Sequence, residues 1–315
     1  MPLKIGVIGA GKWGQNHVRI YKELGCELVG IADPDPATVA MARENGTKHF
    51  TDYMELLPLV DAVSVVVPTN LHFKVVSDAL SAGKHVMVEK PIATTYAEAR
   101  KLIELAKRKN VVLMVGYLFR FNAAVLELKR QLASAGKIQY ITARYMHSSK
   151  PPRKDCGVIL NFTSHLFDII NFVTEKKPKS VFCKKVNYLS PEREDCALII
   201  LDYGDFIANI EVSWLHPLKK RDMWVIGAKE KIYADFLEQM VTRYPLIVEQ
   251  DRVVSQKEIN VEVRKNEPLK EELKCFLKMA GGRDGNRVEE EELVMKMCEK
   301  SMESAVSGRE VKLEL

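Results

Sequence analysis

Short apolar runs alternate with amphipathic helical patterns through the first 120 residues of the chain. Brief apolar runs predict strands at Lys4–Ile8, Glu27–Ala32, Ala62–Val67, His85–Val88 and Val111–Val115. Apolar residues at helical spacing predict helices at Trp13–Leu24, Pro36–Asn45, Leu71–Ala82 and Tyr96–Lys109, the last with a capping box of Thr95 and Glu98. This alternation is typical of an α/β fold with a doubly wound parallel sheet, which binds its ligand at the carboxyl ends of the strands.

After about Phe121 the alternation stops and strands follow one another. Helices are predicted near Ala123–Ala135, Ser164–Val173, Leu269–Met279 and Glu289–Val306, and strands at Gln139–His147, Ser180–Val186, Cys196–Asp202, Ile207–Trp214 and Met223–Ile226. We therefore expect an N-terminal domain at 1–120 and a C-terminal α+β domain at 121–315, with an open, largely antiparallel sheet and helices on one face. The other sheet face needs a cover, and a second copy of the sheet predicts a homodimer or homotetramer.

Composition excludes several classes of function. The 315 residues are 47% hydrophobic and 28% charged, with a net charge of +5, as in an ordinary globular protein. No dense Lys/Arg run favours nucleic-acid binding, and no Cys-x-x-Cys pair among the six cysteines indicates a metal site or a disulfide framework. No apolar run has the length of a membrane span, and a predicted strand begins at once, so we expect a cytoplasmic enzyme without a membrane partner.

Gly9, Gly11 and Gly14 form a Gly-x-Gly-x-x-Gly turn between the first predicted strand and the first helix. Gly9 permits the tight turn, Gly11 lets the backbone approach a pyrophosphate, and Gly14 allows helix and strand to pack closely. The N-terminus of the helix would then hold the phosphates, as in a Rossmann domain. Lys12 and Trp13 lie inside the turn and are predicted to contact the cofactor, although Trp13 could instead pack on the sheet.

Asp33 ends the second predicted strand, nineteen residues after Gly14. A carboxylate at this point can accept hydrogen bonds from both ribose hydroxyls and would repel a 2′-phosphate. Pro34 and Asp35 follow, with no arginine or lysine directly behind them. We therefore predict NAD as the cofactor in preference to NADP; the alternative is that Asp33 only caps the next helix.

Further motifs stand after two later strands and in the second domain. They are Pro68-Thr69-Asn70-Leu71-His72, Glu89-Lys90-Pro91, Gly116-Tyr-Leu-Phe-Arg-Phe121, Asn161-Phe-Thr-Ser-His165-Leu-Phe-Asp168 and the closing Ser-Gly-Arg-Glu-Val-Lys. With the glycine turn, this set resembles the Gfo/Idh/MocA family of NAD(P)-dependent oxidoreductases along essentially the whole chain. The resemblance implies that Pro68, Thr69, Asn70 and His72 border the cofactor, with His72 organising its loop.

Lys90 is the first candidate catalytic residue. A lysine at the carboxyl end of a sheet strand can hydrogen-bond a substrate hydroxyl and stabilise the alkoxide that develops as hydride leaves. The resemblance implies a catalytic and substrate-positioning lysine here, with Glu89 and Pro91 shaping the cofactor pocket. The alternative is a solvated surface lysine.

His165 is the candidate general base, because a neutral imidazole can accept an alcohol proton. Asn161 shares its face if a helix begins there, and would orient the substrate or the imidazole. Many family members have Asp at this position and a small glycine where this chain has Thr163. Since Asn cannot neutralise an imidazolium, we expect His165 to be a weaker base. A core or capping histidine is the alternative.

Arg120 and Tyr145 complete the predicted substrate site. The Arg120 guanidinium suits a hydroxylated or anionic ligand, and an interdomain structural salt bridge is the alternative. His147, Lys150 and Arg153 are weaker cleft candidates, and Asp168 is either a supporting acid or a structural residue.

These motifs predict an NAD-dependent dehydrogenase acting on a secondary hydroxyl of a sugar or nucleotide sugar. On resemblance alone, the best candidate is a UDP-N-acetylhexosamine oxidised at C3. A polyol, inositol or aldose dehydrogenase remains open, as does a non-catalytic NAD-binding sensor. A dehydrogenase of small hydroxy acids would need arginines clustered at the cleft, and of these only Arg120 is well placed.

Overall fold

The computed structural model describes residues 3–148, 155–282 and 288–314. The chain divides into two compact units, numbered in the order in which the chain enters them. The first unit comprises Met1–Tyr117 and Leu269–Glu292, and the second comprises Leu118–Pro268 and Leu293–Leu315. No helix of the described residues is long and apolar enough to cross a bilayer.

A six-stranded parallel sheet forms the centre of the first unit. Its strands are β1 (Lys4–Ile8), β2 (Glu27–Ala32), β3 (Lys48–Phe50), β4 (Ala62–Val65), β5 (His85–Glu89) and β6 (Leu113–Gly116). The spatial order is β3-β2-β1-β4-β5-β6, and every adjacent pair is parallel. The strand order reverses between β1 and β4, because β2 and β3 follow on one side of this pair and β5 and β6 follow on the other. Doubly wound folds bind their ligands at such a reversal.

Helices connect these strands. They are α1 (Gly14–Glu23), α2 (Thr38–Glu44), α3 (Tyr53–Leu56), α4 (Thr69–Ser81) and α5 (Tyr96–Lys109), with a 3₁₀ turn at Leu57–Leu59. The predicted capping box of α5 is only half formed. Thr95 accepts a hydrogen bond from the Glu98 amide at 3.2 Å, whereas the Glu98 carboxylate bonds the amide and the hydroxyl of Thr94.

The first unit differs from the sequence-based expectation in three places. β3 was not predicted, because its three residues carry no apolar run. Thr69 already begins α4, so the predicted loop after β4 is a helix start. Helix α8 (Pro268–Ala280), which the predicted boundary assigns to the second domain, packs its Leu273 and Phe276 into the core of the first unit with Ile5 of β1.

A nine-stranded mixed sheet forms the second unit. Its strands are β7 (Ile138–Met146), β8 (Ser180–Val186), β9 (Cys196–Asp202), β10 (Ile207–Ser213), β11 (Lys220–Gly227), β12 (Lys231–Asp235), β13 (Met240–Tyr244), β16 (Ile259–Val261) and β17 (Val311–Lys312). The order is β16-β13-β12-β11-β7-β10-β9-β8-β17, with only β7 and β10 parallel. The prediction of a largely antiparallel sheet is therefore confirmed. A separate ribbon pairs β14 (Leu246–Val248) with β15 (Val253–Ser255).

The helices of this unit pack on one face of the sheet. They include α6 (Ala123–Gln131) and α7 (Ser164–Thr174), and a π-helical turn at Ile159–Thr163 directly precedes α7. The helix α9 (Val288–Ser307) begins in the first unit and ends in the second. Two 3₁₀ turns lie at Leu118–Phe121 and Leu132–Ala135. Side chains alternate along the strands, so Ile199 and Leu201 of β9 are buried whereas Leu198 and Ile200 are 53% and 42% exposed. Ile207 on β10 and Tyr140 on β7 extend the exposed apolar row.

Candidate active site

The glycine turn between β1 and α1 has the form that a dinucleotide requires. Gly9 has φ +90°, and a side chain there would meet the carbonyl of Val66, with its Cβ 2.6 Å from the oxygen. A Cβ on Gly14 would run into the carbonyl oxygen of Gly9. At Gly11, by contrast, no atom of the described residues other than its chain neighbours lies within 4 Å of a Cβ position. The turn is therefore closely packed on its inner side and open at Gly11, where the fold places a pyrophosphate, so these residues fit NAD.

Asp33 follows β2 and is half-buried beside this turn. Its Oδ2 accepts a hydrogen bond from the Ala10 amide at 2.6 Å, and its Oδ1 accepts one from the Asp35 amide at 2.9 Å. The carboxylate thus holds both the glycine turn and the chain before α2. A carboxylate has about four acceptor positions, so two backbone contacts leave capacity for ribose hydroxyls.

The residues after β4 are organised by His72. Its Nδ1 lies 2.7 Å from the carbonyl oxygen of Pro91, and its Nε2 lies 2.9 Å from that of Val67. This buried imidazole joins the start of α4 to the chain that follows Lys90. Thr69 is buried, whereas Pro68 and Asn70 are exposed at the same strand edge. The proposed loop-organising role of His72 agrees with this geometry.

Glu89 at the end of β5 is the centre of a buried network. Its Oε1 accepts a hydrogen bond from Trp13 Nε1 at 2.5 Å and lies 3.1 Å from Nε2 of His17. Burial by itself would raise the pKa of the Glu89 carboxyl, but the hydrogen bonds from His17 and Trp13 and the charge of Lys90 outweigh it, so the pKa is lowered. The exposed Lys12 and Trp13 complete the turn, with the Trp13 ring anchored to the strand rather than loose.

Lys90 directly follows this carboxylate and is half-buried. Its charge helps to keep Glu89 ionised. Pro91 is buried behind it and presents its carbonyl to His72. The end of β5 is thus fixed on both sides of Lys90, by Glu89 before it and by Pro91 after it.

In the second unit, His165 lies in the first turn of α7 and is 2% exposed. Its ring meets Phe119 edge to face at 5.0 Å between centroids and stacks near Tyr145 at 5.8 Å and 20°. Asn161 and Thr163 precede it in the π-helical turn, and both are buried. The Asn161–His165 spacing therefore spans a junction between π and α geometry, rather than one regular helix.

Glu194 holds this segment in place, and sequence reasoning missed it. Its Oε1 accepts a hydrogen bond from the Ile159 amide at 2.9 Å, at the start of the π-helical turn. Its carbonyl accepts a bond from the Val158 amide at 3.1 Å. Gly157 has no side chain, and this leaves space for the Glu194 carboxylate. A buried acid beside the N-terminus of a helix is a stabilising arrangement that only the tertiary fold reveals.

Tyr145 on β7 is buried in an aromatic group with His165. Its ring stacks on Phe162 at 4.2 Å and 7°, and lies 6.4 Å from His147. Burial raises the pKa of the Tyr145 hydroxyl, while the charge of Arg221 opposes that rise. The structure therefore brings the rings of Tyr145, His147 and His165 together. Lys150 and Arg153 lie outside the described residues.

Arg120 forms a bidentate ion pair with Asp168. Its Nε lies 2.8 Å from each carboxylate oxygen of Asp168, and its Nη2 also bonds Oδ1. Both residues belong to the second unit, so the pair is not the interdomain bridge weighed from the sequence. Asp168 is 1% exposed at the side chain and Arg120 11%. Much of the Arg120 fork is thus already occupied, and Asp168 is its structural partner.

Two family models match the chain. One is described as an oxidoreductase family with an NAD-binding Rossmann fold and matches residues 3–117. The other is the GFO/IDH/MocA C-terminal domain and matches residues 125–233. The first match lies in the first unit and the second match lies in the second unit, and the first identifies the glycine-turn domain as an NAD-binding one.

The chain is also similar to two proteins named as dehydrogenases. UDP-N-acetylglucosamine 3-dehydrogenase of Acidithiobacillus ferrooxidans is 29% identical over 243 residues, 77% of either chain. A solved structure of that protein aligns over 98% of this chain and 99% of its own, with TM-score 0.86 and 25% identity. Myo-inositol 2-dehydrogenase of Thermotoga maritima is 28% identical over 88% of this chain and 87% of its own.

Proposed function

The chain belongs to the Gfo/Idh/MocA family of oxidoreductases, and on that premise we propose that it oxidises a secondary hydroxyl of a sugar or nucleotide sugar. Among these, a UDP-N-acetylhexosamine oxidised at C3 is the favoured substrate. The similarity to a UDP-N-acetylglucosamine 3-dehydrogenase along most of both chains supports this choice. Inositols and other polyols rank next, because an inositol dehydrogenase is about as similar.

NAD, when bound, supplies the hydride acceptor at nicotinamide C4. In the proposed reaction the alcohol carbon loses a hydride and the alcohol oxygen loses a proton, which leaves a ketone. The Lys90 ammonium donates a hydrogen bond to the reacting oxygen and stabilises the negative charge that develops there. Glu89 and His72 hold the chain on either side of Lys90, so the ammonium is positioned before the substrate arrives.

His165 takes the proton of the hydroxyl. Asn161 donates or accepts a hydrogen bond that orients the substrate or the imidazole. As a neutral amide, it gives the imidazolium no compensating charge, so His165 is a weaker base than it would be beside an aspartate. We expect the reaction to run faster as the pH rises through the range in which His165 loses its proton.

One observation supports the proposal most. The second unit holds a buried histidine at the start of α7 inside an aromatic group, and such a group can pack against the apolar face of a sugar ring. The cofactor fit of the first unit supplies the other half of the reaction. We propose that oxidation of the substrate hydroxyl requires both Lys90 and His165.

The direct test is incubation of the purified protein and NAD with UDP-N-acetylglucosamine, UDP-N-acetylgalactosamine, myo-inositol and glucose. We expect NADH to form with a UDP-N-acetylhexosamine, and mass spectrometry to find the product lighter by two hydrogens. The position of the new ketone is read by borodeuteride reduction and NMR. Oxidation at a carbon other than C3 would reject the specific assignment but leave the reaction class.

A non-catalytic NAD-binding sensor is the second candidate. The neutral Asn161 favours it, because loss of a carboxylate beside the base weakens proton transfer. Firm NAD binding without NADH formation from any of these sugars would support the sensor.

We further propose that the exposed row of Leu198, Ile200, Ile207 and Tyr140 is covered by a second copy of the chain, in a homodimer or homotetramer. Apolar patches of this kind mark interaction surfaces. Native mass spectrometry measures the stoichiometry, and Ile200→Lys should yield monomers. A cytoplasmic location remains a prediction.

A further inference from the structure

Arg221 on β11 lies beside the aromatic group of the second unit. It is paired across the sheet with Tyr145 on β7, so the two side chains share one face. The Arg221 guanidinium carbon is 4.4 Å from the centroid of the Tyr145 ring and 5.7 Å from that of Phe119. The cation is therefore held against two aromatic rings.

The same two rings contact His165. Phe119 meets the imidazole at 5.0 Å, and Tyr145 lies 5.8 Å from it. Arg221 and His165 thus have two aromatic neighbours in common, within one unit and on the helix-covered face of one sheet. A group bound by Arg221 would belong to the same small molecule as a hydroxyl bound by His165.

Arg221 differs from other arginines of this unit in its partners. Arg120 is paired with Asp168, Arg144 with Asp222, and Arg243 with Glu230. In the described part of the chain, no carboxylate forms a salt bridge with Arg221, and its buried Nε has no hydrogen-bond partner. Aromatic rings attract a guanidinium, but they do not replace the carboxylate or phosphate oxygens that fit its planar fork.

The Arg221 side chain is half-buried, and no carboxylate of the described residues forms a salt bridge with it. A half-buried cation without a counter-ion is costly, and a bound anion would relieve that cost.

We propose that Arg221 binds an anionic group, a phosphate or a carboxylate, carried by the sugar that His165 deprotonates. Arg221 is then the residue that selects anionic sugars, such as sugar nucleotides or uronates, over neutral ones. This inference rests on the proposed function, because it assumes a sugar beside His165, but it concerns binding and is measurable without turnover.

The test compares Arg221→Gln and Arg221→Lys with Lys220→Gln, which removes one charge from the neighbouring position of the same strand. Calorimetry on the NADH-saturated protein uses UDP-N-acetylglucosamine, N-acetylglucosamine 1-phosphate, glucuronate and neutral N-acetylglucosamine. Loss of a charged hydrogen-bonded contact should weaken the preferred anion on the order of 10- to 100-fold. Arg221→Lys should lose less, because it keeps the charge without the fork, and Lys220→Gln should bind as the wild type does.

Comparison of the four ligands distinguishes a bound phosphate from a bound carboxylate. Arg221-dependent binding of both phosphorylated sugars identifies a phosphate, and dependence confined to glucuronate identifies a carboxylate. The inference is overturned if Arg221→Gln binds every anion as tightly as the wild type, or if the wild type binds neutral N-acetylglucosamine as tightly as the charged sugars. The latter comparison needs no variant and stands even if Arg221→Gln fails to fold. Arg221-dependent binding without NADH formation would reject the proposed function and leave the anion site.

Discussion

Trp13 donates its indole N–H to Glu89 over 2.5 Å, and this bond ties the glycine turn to the strand end that precedes Lys90. His17 adds a second contact to the same carboxylate oxygen. The turn proposed to hold the cofactor and the strand end that carries the proposed catalytic lysine are thus joined through the buried Glu89 carboxylate.

The first prediction concerns this carboxylate and pH. Because the folded pKa of Glu89 lies below its ordinary value of 4.5, the charged form stabilises the fold above that value. The contribution is lost as the pH falls through the lowered folded pKa. Glu89→Gln keeps an acceptor for Trp13 but removes the charge. Urea unfolding of Glu89→Gln should therefore give a lower free energy of unfolding at neutral pH than the wild type has. As the pH falls, this free energy should decrease less in the variant than in the wild type. If it decreased equally in both proteins, the result would contradict this role of Glu89.

The second prediction separates cofactor binding from folding in the glycine turn. Gly11→Ala places a methyl group in open space, so the melting temperature should stay unchanged while the Kd for NAD rises by about tenfold or more. Gly14→Ala is the control within the same turn: its methyl group would meet the Gly9 carbonyl, so the variant should lose about 1–3 kcal/mol of stability. Calorimetric NAD titration measures the affinity of each variant, and thermal melts measure its stability. Wild-type NAD affinity in Gly11→Ala would contradict the assigned pyrophosphate position.

The third prediction concerns the Arg120–Asp168 ion pair. Asp168→Asn leaves a largely buried guanidinium without its counter-charge and should destabilise the second unit by about 3–5 kcal/mol. Asp205→Asn is the control, because its partner Lys176 is 46% exposed at the side chain and such pairs contribute about 1 kcal/mol or less. Chemical denaturation compares the two. Equal effects would show that Arg120 does not depend on Asp168.

Local sequence patterns predicted the residues that stand next to strand ends. The glycine turn, Asp33 and Lys90 belong to short motifs whose chemistry is set by their neighbours in sequence. Arg221 could not be found this way, because it reaches Tyr145 only through the pairing of β7 with β11, and three other strands lie between these two in the sequence. The assignment of α8 to the wrong domain has a similar cause, since nothing local to Phe276 indicates that it packs with Ile5.

The fourth prediction tests the neutral residue before the proposed base. Asn161→Asp should stabilise the protonated imidazole of His165, so the acid limb of the kcat/KM profile should move to higher pH and the plateau should rise. A pH series of initial rates with UDP-N-acetylglucosamine measures this. An unchanged profile would mean that Asn161 does not act on His165.

The central proposal is that oxidation of the sugar hydroxyl requires both Lys90 and His165. The most direct measurement is the initial rate of NADH formation from UDP-N-acetylglucosamine by Lys90→Ala, His165→Ala and the double variant, with NAD affinity as the control for folding. Each single change should lower kcat/KM by about 10²–10⁴-fold, and the double variant should be little slower than the worse single one, because groups that act as a unit are not additive. Undiminished turnover in Lys90→Ala, or losses that simply multiply in the double variant, would contradict the account.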